Sequence, residues 1–294
     1  MHTLTFSHSG RVRAGRLGGD ENAVEPFEFD TGDAGMLAVI ERLAAGGVLP
    51  GCGPPLPLDE VGLLAPIPRP RRNIFCVGKN YAAHAAEFTG SGFDSSAGAG
   101  GPDAPIIFSK VPQTVIAPGA AIRFDPAVSE AIDYEVELAV VIGRGGRGIG
   151  AADALSHVFG YTIVNDVTCR DVQRLHKQWL LGKSFDTFCP MGPYLVTADS
   201  VNVGDLEVRC WINGELRQEA NTRDLIFDVP TLIEAISRYL TLQPGDVIAT
   251  GTPAGVGIGF TPPRFLRDGD SVRMEIGGIG VLENTVATMT GAGA

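Results

Sequence analysis

Basic residues are in the minority in this chain: 23 Lys and Arg stand against 34 Asp and Glu, for a formal net charge of -11. A surface of that sign repels phosphate backbones and anionic membrane faces, which argues against nucleic-acid and membrane partners. An anionic substrate would need a metal, or a local knot of Lys and Arg, to reverse the field. Long apolar runs are also missing. Nothing approaches the ~20 residues of a membrane-spanning helix, and MHTLTFSHSGRVRAG lacks the apolar core of a signal peptide. Cysteine is scarce and scattered, at Cys52, Cys76, Cys169, Cys189 and Cys210, with no C-x-x-C pair. That excludes a zinc knuckle or a dithiol redox motif and leaves buried thiols in a reducing compartment, with the cytoplasm as the default location.

Several catalytic signatures are absent too. There is no G-x-S-x-G nucleophile elbow, and Cys76 and Cys169 have no His nearby in sequence, which disfavours covalent catalysis. The ATGTPAGVG stretch is not a P-loop, and GVGIG is followed by no helix or acidic residue in dinucleotide-binding register. The run GRGGRG (143–148) reads as a hairpin turn. The strand–helix alternation of a Rossmann sheet or an eight-stranded α/β barrel does not occur.

Glycine, by contrast, is abundant at 39 residues, with 20 Pro. Many turns and close backbone approaches follow, and a helical bundle is excluded. The 294 residues suffice for one large domain, or one large and one small. Residues 1–66 read as a small N-terminal α+β unit with a linker. It has a strand at 2–6, a helix at 34–47 ending at Gly46-Gly47, and then a Pro/Gly-rich stretch. Residues 67–294 read as the main domain, mixed but mainly β, with few helices. Its strands are expected in NIFCVGKNY, AIDYEVELAVVIGRGG, GYTIVNDV, LEVRCWING, ELRQEANTRDLIF and VIATGTPAGVGIG, with a closing hairpin in SVRMEIGGIGVLENTVA. Helical character is expected at 82–88, in a polar helix capped by the Thr168 hydroxyl, and in VPTLIEAISRYLTLQPGD. Residues 89–104, TGSGFDSSAGAGGPDA, are expected to form a mobile loop.

Three carboxylates draw attention. Glu135 and Glu137 are i and i+2 in a strand and so share a face. Side by side along an apolar strand they repel and resist burial, which a divalent cation would relieve. A solvated face would also suit them. Asp166, at the end of a second β-rich segment, could complete an all-oxygen site of the kind Mg²⁺ or Mn²⁺ takes, or could simply cap a turn. His84 and Glu87, i and i+3 on a short helix, could form a general base in which the carboxylate fixes the imidazole tautomer, or an exposed pair. Arg170 and Gln173 have the same spacing and could bind a carboxylate or carbonyl oxygen. Lys183, in an apolar-aromatic stretch, calls for a charge partner: a carboxylate, an anionic ligand, or Asp186. Thr252 offers a hydroxyl within a glycine loop.

Five segments in order carry a resemblance: NYAAHAAE, DYEVELAVVIG, NDVTCRDVQ, GKSFDTFCPMGP and ATGTPAGVG. Together, over about residues 70–287, they resemble the fumarylacetoacetate hydrolase family. The resemblance implies a β-sandwich roll and a homodimer. It implies Glu135, Glu137 and Asp166 as ligands of Mg²⁺ or Mn²⁺, and His84 with Glu87 as a water-activating dyad on a lid. Lys183 is similar to the family's lysine near the substrate oxygens, and Arg170, Gln173 and Thr252 match substrate-binding positions. The implied reaction is hydrolysis of a C–C bond in a 2,4-dioxo acid of acylpyruvate or fumarylpyruvate type, releasing pyruvate and a carboxylic acid. The alternative is an isomerase or decarboxylase acting on a related oxo-acid, such as oxaloacetate or a homoprotocatechuate-pathway intermediate. The long Gly/Ser-rich stretch at 89–104 departs from the short link of compact members and bears on substrate choice.

Overall fold

The computed structural model describes residues 1–19, 21–90 and 102–289. Most of the loop expected at 89–104 therefore lies outside the described residues, although Thr89 and Gly90 complete the helix Ala82–Gly90. The protein is mainly β with few helices. A twelve-stranded mixed sheet and a five-stranded sheet hold most of the strands. No described helix is long and apolar enough to cross a membrane.

The strand Val136–Ile142 is buried at every position and shows how the layers are sorted. Successive side chains in a strand point to opposite faces. Val136, Leu138, Val140 and Ile142 enter the core shared with the five-stranded sheet, beside Val208, Met274 and Leu282. Ala139 and Val141 face the other side, where Met36, Leu37, Val39 and Ile40 of the helix Met36–Ala44 pack against the same sheet. Glu137 belongs to that second face by parity. Each fully enclosed aliphatic side chain in these layers contributes on the order of 2 kcal/mol.

Three pairings determine where functional side chains emerge. Val158–Asn165 runs antiparallel to Val136–Ile142, with Val136 opposite Asn165. The end of one strand, at Asp166, is thereby brought to the start of the other, at Glu135 and Glu137. Val247–Ala249 is antiparallel to Val136–Ile142 but parallel to Ile74–Gly78. Parallel neighbours release their exit loops at the same end, so the turn into the helix Ala82–Gly90 and the glycine loop after Ala249 leave side by side.

Several local expectations change. The long strand expected from 131 is broken: Ile132–Asp133 pairs with Thr168–Cys169, and Glu135 sits at the break. The Thr168 hydroxyl donates to the Asp166 carbonyl at 2.8 Å and does not cap the helix Arg170–His176. Gly143–Gly148 is no hairpin turn; it opens a longer connection through the short helix Ala151–Ala154, with Gly146 bridging to Leu242. The N-terminal strand His2–His8 hydrogen-bonds to Cys189–Thr197, so the N-terminal strands extend the large sheet.

Candidate active site

One oxygen from each of Glu135, Glu137 and Asp166 lies within 4.8 Å of the others, and all three side chains are buried. Enclosing three carboxylates demands compensation. Lys183 Nζ donates to Glu135 Oε2 and to Asp166 Oδ2, both at 2.7 Å. Lys110 Nζ donates to Asp166 Oδ1 at 2.7 Å, to the Val167 carbonyl at 3.0 Å and to the Lys183 carbonyl. Arg170 pairs with Glu135 at 2.7 Å through one end of its guanidinium, and its Nε donates to Asp133 Oδ2 at 2.9 Å. Lys183 therefore has Glu135 and Asp166 as its partners rather than Asp186.

Two neighbouring glutamates feel this field differently. Burial works to raise the Glu135 carboxyl, but Lys183 and Arg170 outweigh it and bring it down to about 2. Burial pushes Glu137 well above the usual carboxylate range, and Asp166 and Glu135 push the same way. Its Oε2 accepts the Gly251 N–H at 2.9 Å. An ionised Glu137 in this place calls for more positive charge. The donor set is all oxygen, buried and convergent, which fits a hard divalent cation.

The other side of the pocket carries His84 and Glu87. His84 Nδ1 lies 3.3 Å from Glu87 Oε2, and the Glu87 carboxylate also accepts the Gly255 N–H at 3.0 and 3.2 Å. The Glu87 carboxylate, as an acceptor, favours the tautomer with the proton on Nδ1, which leaves the Nε2 lone pair free. The spacing of His84 and Glu87 left an exposed pair open; His84 is only 5% exposed.

A small pocket joins the two sides. Among the expected residues it is lined by His84, Glu135, Glu137, Arg170, Gln173, Lys183 and Thr252. Glu87 and Asp166 reach it through His84 and Lys183. Gln173 Oε1 accepts from Arg170 at 3.2 Å, which leaves its amide nitrogen as the donor end. Thr252 Oγ1 accepts from Gln218 Nε2 at 2.8 Å.

Sequence reasoning missed several residues. Asp133 opens the DYEVE segment, and its carboxylate collects Arg170 together with the N–H groups of Gly257 and Ile258 at 2.6 and 3.1 Å. Lys110 ends the apolar strand Ile106–Lys110, and a lysine there with no solvent-facing register was the available signal. Lys79 lines the pocket with φ at +56°, a backbone region uncommon for a residue with a side chain, and lies over the Phe88 ring. Trp179 closes one wall edge-on to Phe108. Gly78 is required there, because a Cβ would fall 2.4 Å from the Trp179 ring.

With this geometry in hand, the relatives are informative. A family model described as fumarylacetoacetate (FAA) hydrolase C-terminal matches residues 73–287. The chain is 52% identical over 230 residues to the oxaloacetate tautomerase YisK of Bacillus subtilis, covering 78% of this chain and 74% of that protein. It is 45% identical over 294 residues to the mitochondrial oxaloacetate tautomerase FAHD2B of Bos taurus, covering 96% and 88%. Among solved structures, the fumarylacetoacetate hydrolase of psychrophilic Exiguobacterium antarcticum is similar with a TM-score of 0.84 and 39% identity, covering 98% of this chain and 100% of that one. The matched span contains every carboxylate, cation and dyad residue described above, and the chain belongs to the fumarylacetoacetate hydrolase family of enzymes.

Proposed function

We propose that this enzyme interconverts the keto and enol forms of a small 2-oxo dicarboxylic acid of the oxaloacetate type. The observation that carries the reading is one pocket in which a carboxylate-oriented imidazole faces buried cations and a three-carboxylate cluster. Glu135, Glu137 and Asp166 would hold Mg²⁺ or Mn²⁺. The bound cation would supply Lewis acidity toward the oxo and carboxylate oxygens of the substrate.

His84 takes the proton from C3, with Glu87 stabilising the imidazolium that results. The electron pair of the C3–H bond becomes the C2–C3 double bond, and the charge moves to the 2-oxygen. Lys183 hydrogen-bonds that oxygen as charge accumulates on it, and transfer of the proton held by His84 to that oxygen completes the enol and restores the imidazole. Gln173 and Thr252 bind carboxylate oxygens, and Arg170 holds Glu135 in place. Phe88, Phe108 and Trp179 exclude water from the proton-transfer path. All of these residues fall within 67–294, and we assign the site to that segment, with residues 1–66 bracing the sheet edge.

C–C hydrolysis, the first expectation from the sequence, would use the same dyad on water. The tautomerase names of two relatives at 52% and 45% identity favour proton transfer instead. The test is a metal-supplemented assay on freshly dissolved enol-oxaloacetate, acetylpyruvate and fumarylpyruvate, following enol absorbance and pyruvate together. Metal-dependent loss of the enol without pyruvate is expected. Pyruvate plus free acid from an acylpyruvate would make the enzyme a hydrolase, and pyruvate from oxaloacetate a decarboxylase; either result sinks the proposal.

A further inference from the structure

The glycine loop at 251–259 does more than connect strands. Its backbone N–H groups receive three carboxylates from three separate elements. Gly251 donates to Glu137 at 2.9 Å, Gly255 to both oxygens of Glu87 at 3.0 and 3.2 Å, and Gly257 and Ile258 to Asp133 at 2.6 and 3.1 Å. Glu137 belongs to the carboxylate cluster, Asp133 grips Arg170, and Glu87 belongs to the dyad. One short backbone segment thus registers the dyad against the cluster.

Gly255 and Gly259 serve this arrangement in different ways. Gly255 has φ at +98°, and a Cβ there would meet the Arg217 carbonyl oxygen at 1.9 Å, so its need is one of backbone. A Cβ on Gly259 would instead fall 1.8 Å from Glu87 Oε1 and 2.2 Å from Glu87 Cδ. Those atoms are the far end of a flexible side chain. An added methyl would evict the carboxylate and leave the loop backbone where it is.

We propose that Gly259 is a positioning residue: the gap left by its missing side chain is the seat of the Glu87 carboxylate, and occupation of that seat holds His84 in register with the carboxylate cluster. The inference rests on the reading of His84 and Glu87 as the catalytic pair. The docked Glu87 has two roles at once, orienting Nδ1 of His84 and fastening the helix Ala82–Gly90 to the loop through Gly255.

The test compares Gly259→Ala, Glu87→Ala and the double variant. Each single change is expected to lower kcat by ~10²-fold, the usual scale for a lost acid–base partner. The double variant is expected to be no slower than Glu87→Ala alone, because both changes remove the same seated carboxylate. Mn²⁺ affinity of the Gly259→Ala protein should match that of the parent. Unchanged kcat in Gly259→Ala, or losses that multiply in the double variant, would overturn the inference. A second arm needs neither turnover nor a foldable Gly259 variant. In Glu87→Ala, amide exchange at Gly255 should accelerate while Gly251, Gly257 and Ile258 stay protected, and an unaltered Gly255 rate would refute the seat. If no oxo-acid is turned over by the parent enzyme, the functional reading fails while the exchange arm still decides the seat.

Discussion

The carboxylate cluster and the dyad face one pocket but are held in opposite ways. Glu135, Glu137 and Asp166 lie buried at strand ends; Lys110, Lys183 and Arg170 cross-tie Glu135 and Asp166, and the Gly251 N–H holds Glu137. His84 and Glu87 ride a nine-residue helix fastened through the Gly255 amide and an aromatic contact of Phe88 with Trp179. The first arrangement builds an electrostatic field that the sheet keeps rigid. The second places the imidazole on a short helix that meets the glycine loop through one carboxylate and a small aromatic and aliphatic cluster. A catalytic field loses strength if its charges relax, whereas a base must admit and release substrate. On the proposed function, the difference in attachment would match that division of labour.

The comparison can be broken at either end. The largest effect is expected from Glu137→Ala or Asp166→Ala, with activity lost by more than ~10³-fold and Mn²⁺ binding abolished in a titration. Retained metal binding in both would separate the cluster from the cation. Next comes Lys110→Met, which leaves Asp166 short of a buried counter-charge. Removal of one partner of an enclosed pair costs about 3–5 kcal/mol, read as a lower urea midpoint at unchanged slope. Unchanged unfolding would mean that Lys183 alone satisfies Asp166. His84→Ala should lower kcat by at least ~10²-fold while Tm and Mn²⁺ affinity hold, and a large loss of stability would place His84 in the scaffold. The smallest effect is expected from Thr252→Val, about fivefold in KM from a lost hydrogen bond of roughly 1 kcal/mol, with kcat conserved. A kcat effect there instead would move Thr252 into the proton-transfer step.

Much of the site was legible because its chemistry is local in sequence. Glu135 with Glu137, His84 with Glu87, and Arg170 with Gln173 each announce themselves by spacing on one element. What spacing could not convey is partnership across elements. Lys110 and Asp133 have no charged partner at helical or strand spacing on their own elements, and each meets its partner, Asp166 and Arg170 respectively, only after strands pair. The two-fold periodicity expected through 131–146 also misled, because the chain breaks at Glu135 to let Ile132–Asp133 pair elsewhere. The acidic face that spacing alone left open is enclosed, since Glu137 faces the helix-covered side of the sheet with Ala139 and Val141.

The amino-acid sequence by itself determined the mainly β class, the family and the identity of the charged residues, because periodicity and short motifs are properties of neighbouring positions. Tertiary structure decided which charges neutralise which, and why Gly259 has no side chain. Those outcomes depend on distances between segments far apart in the chain, and only the pairing of strands brings such segments within reach of one another.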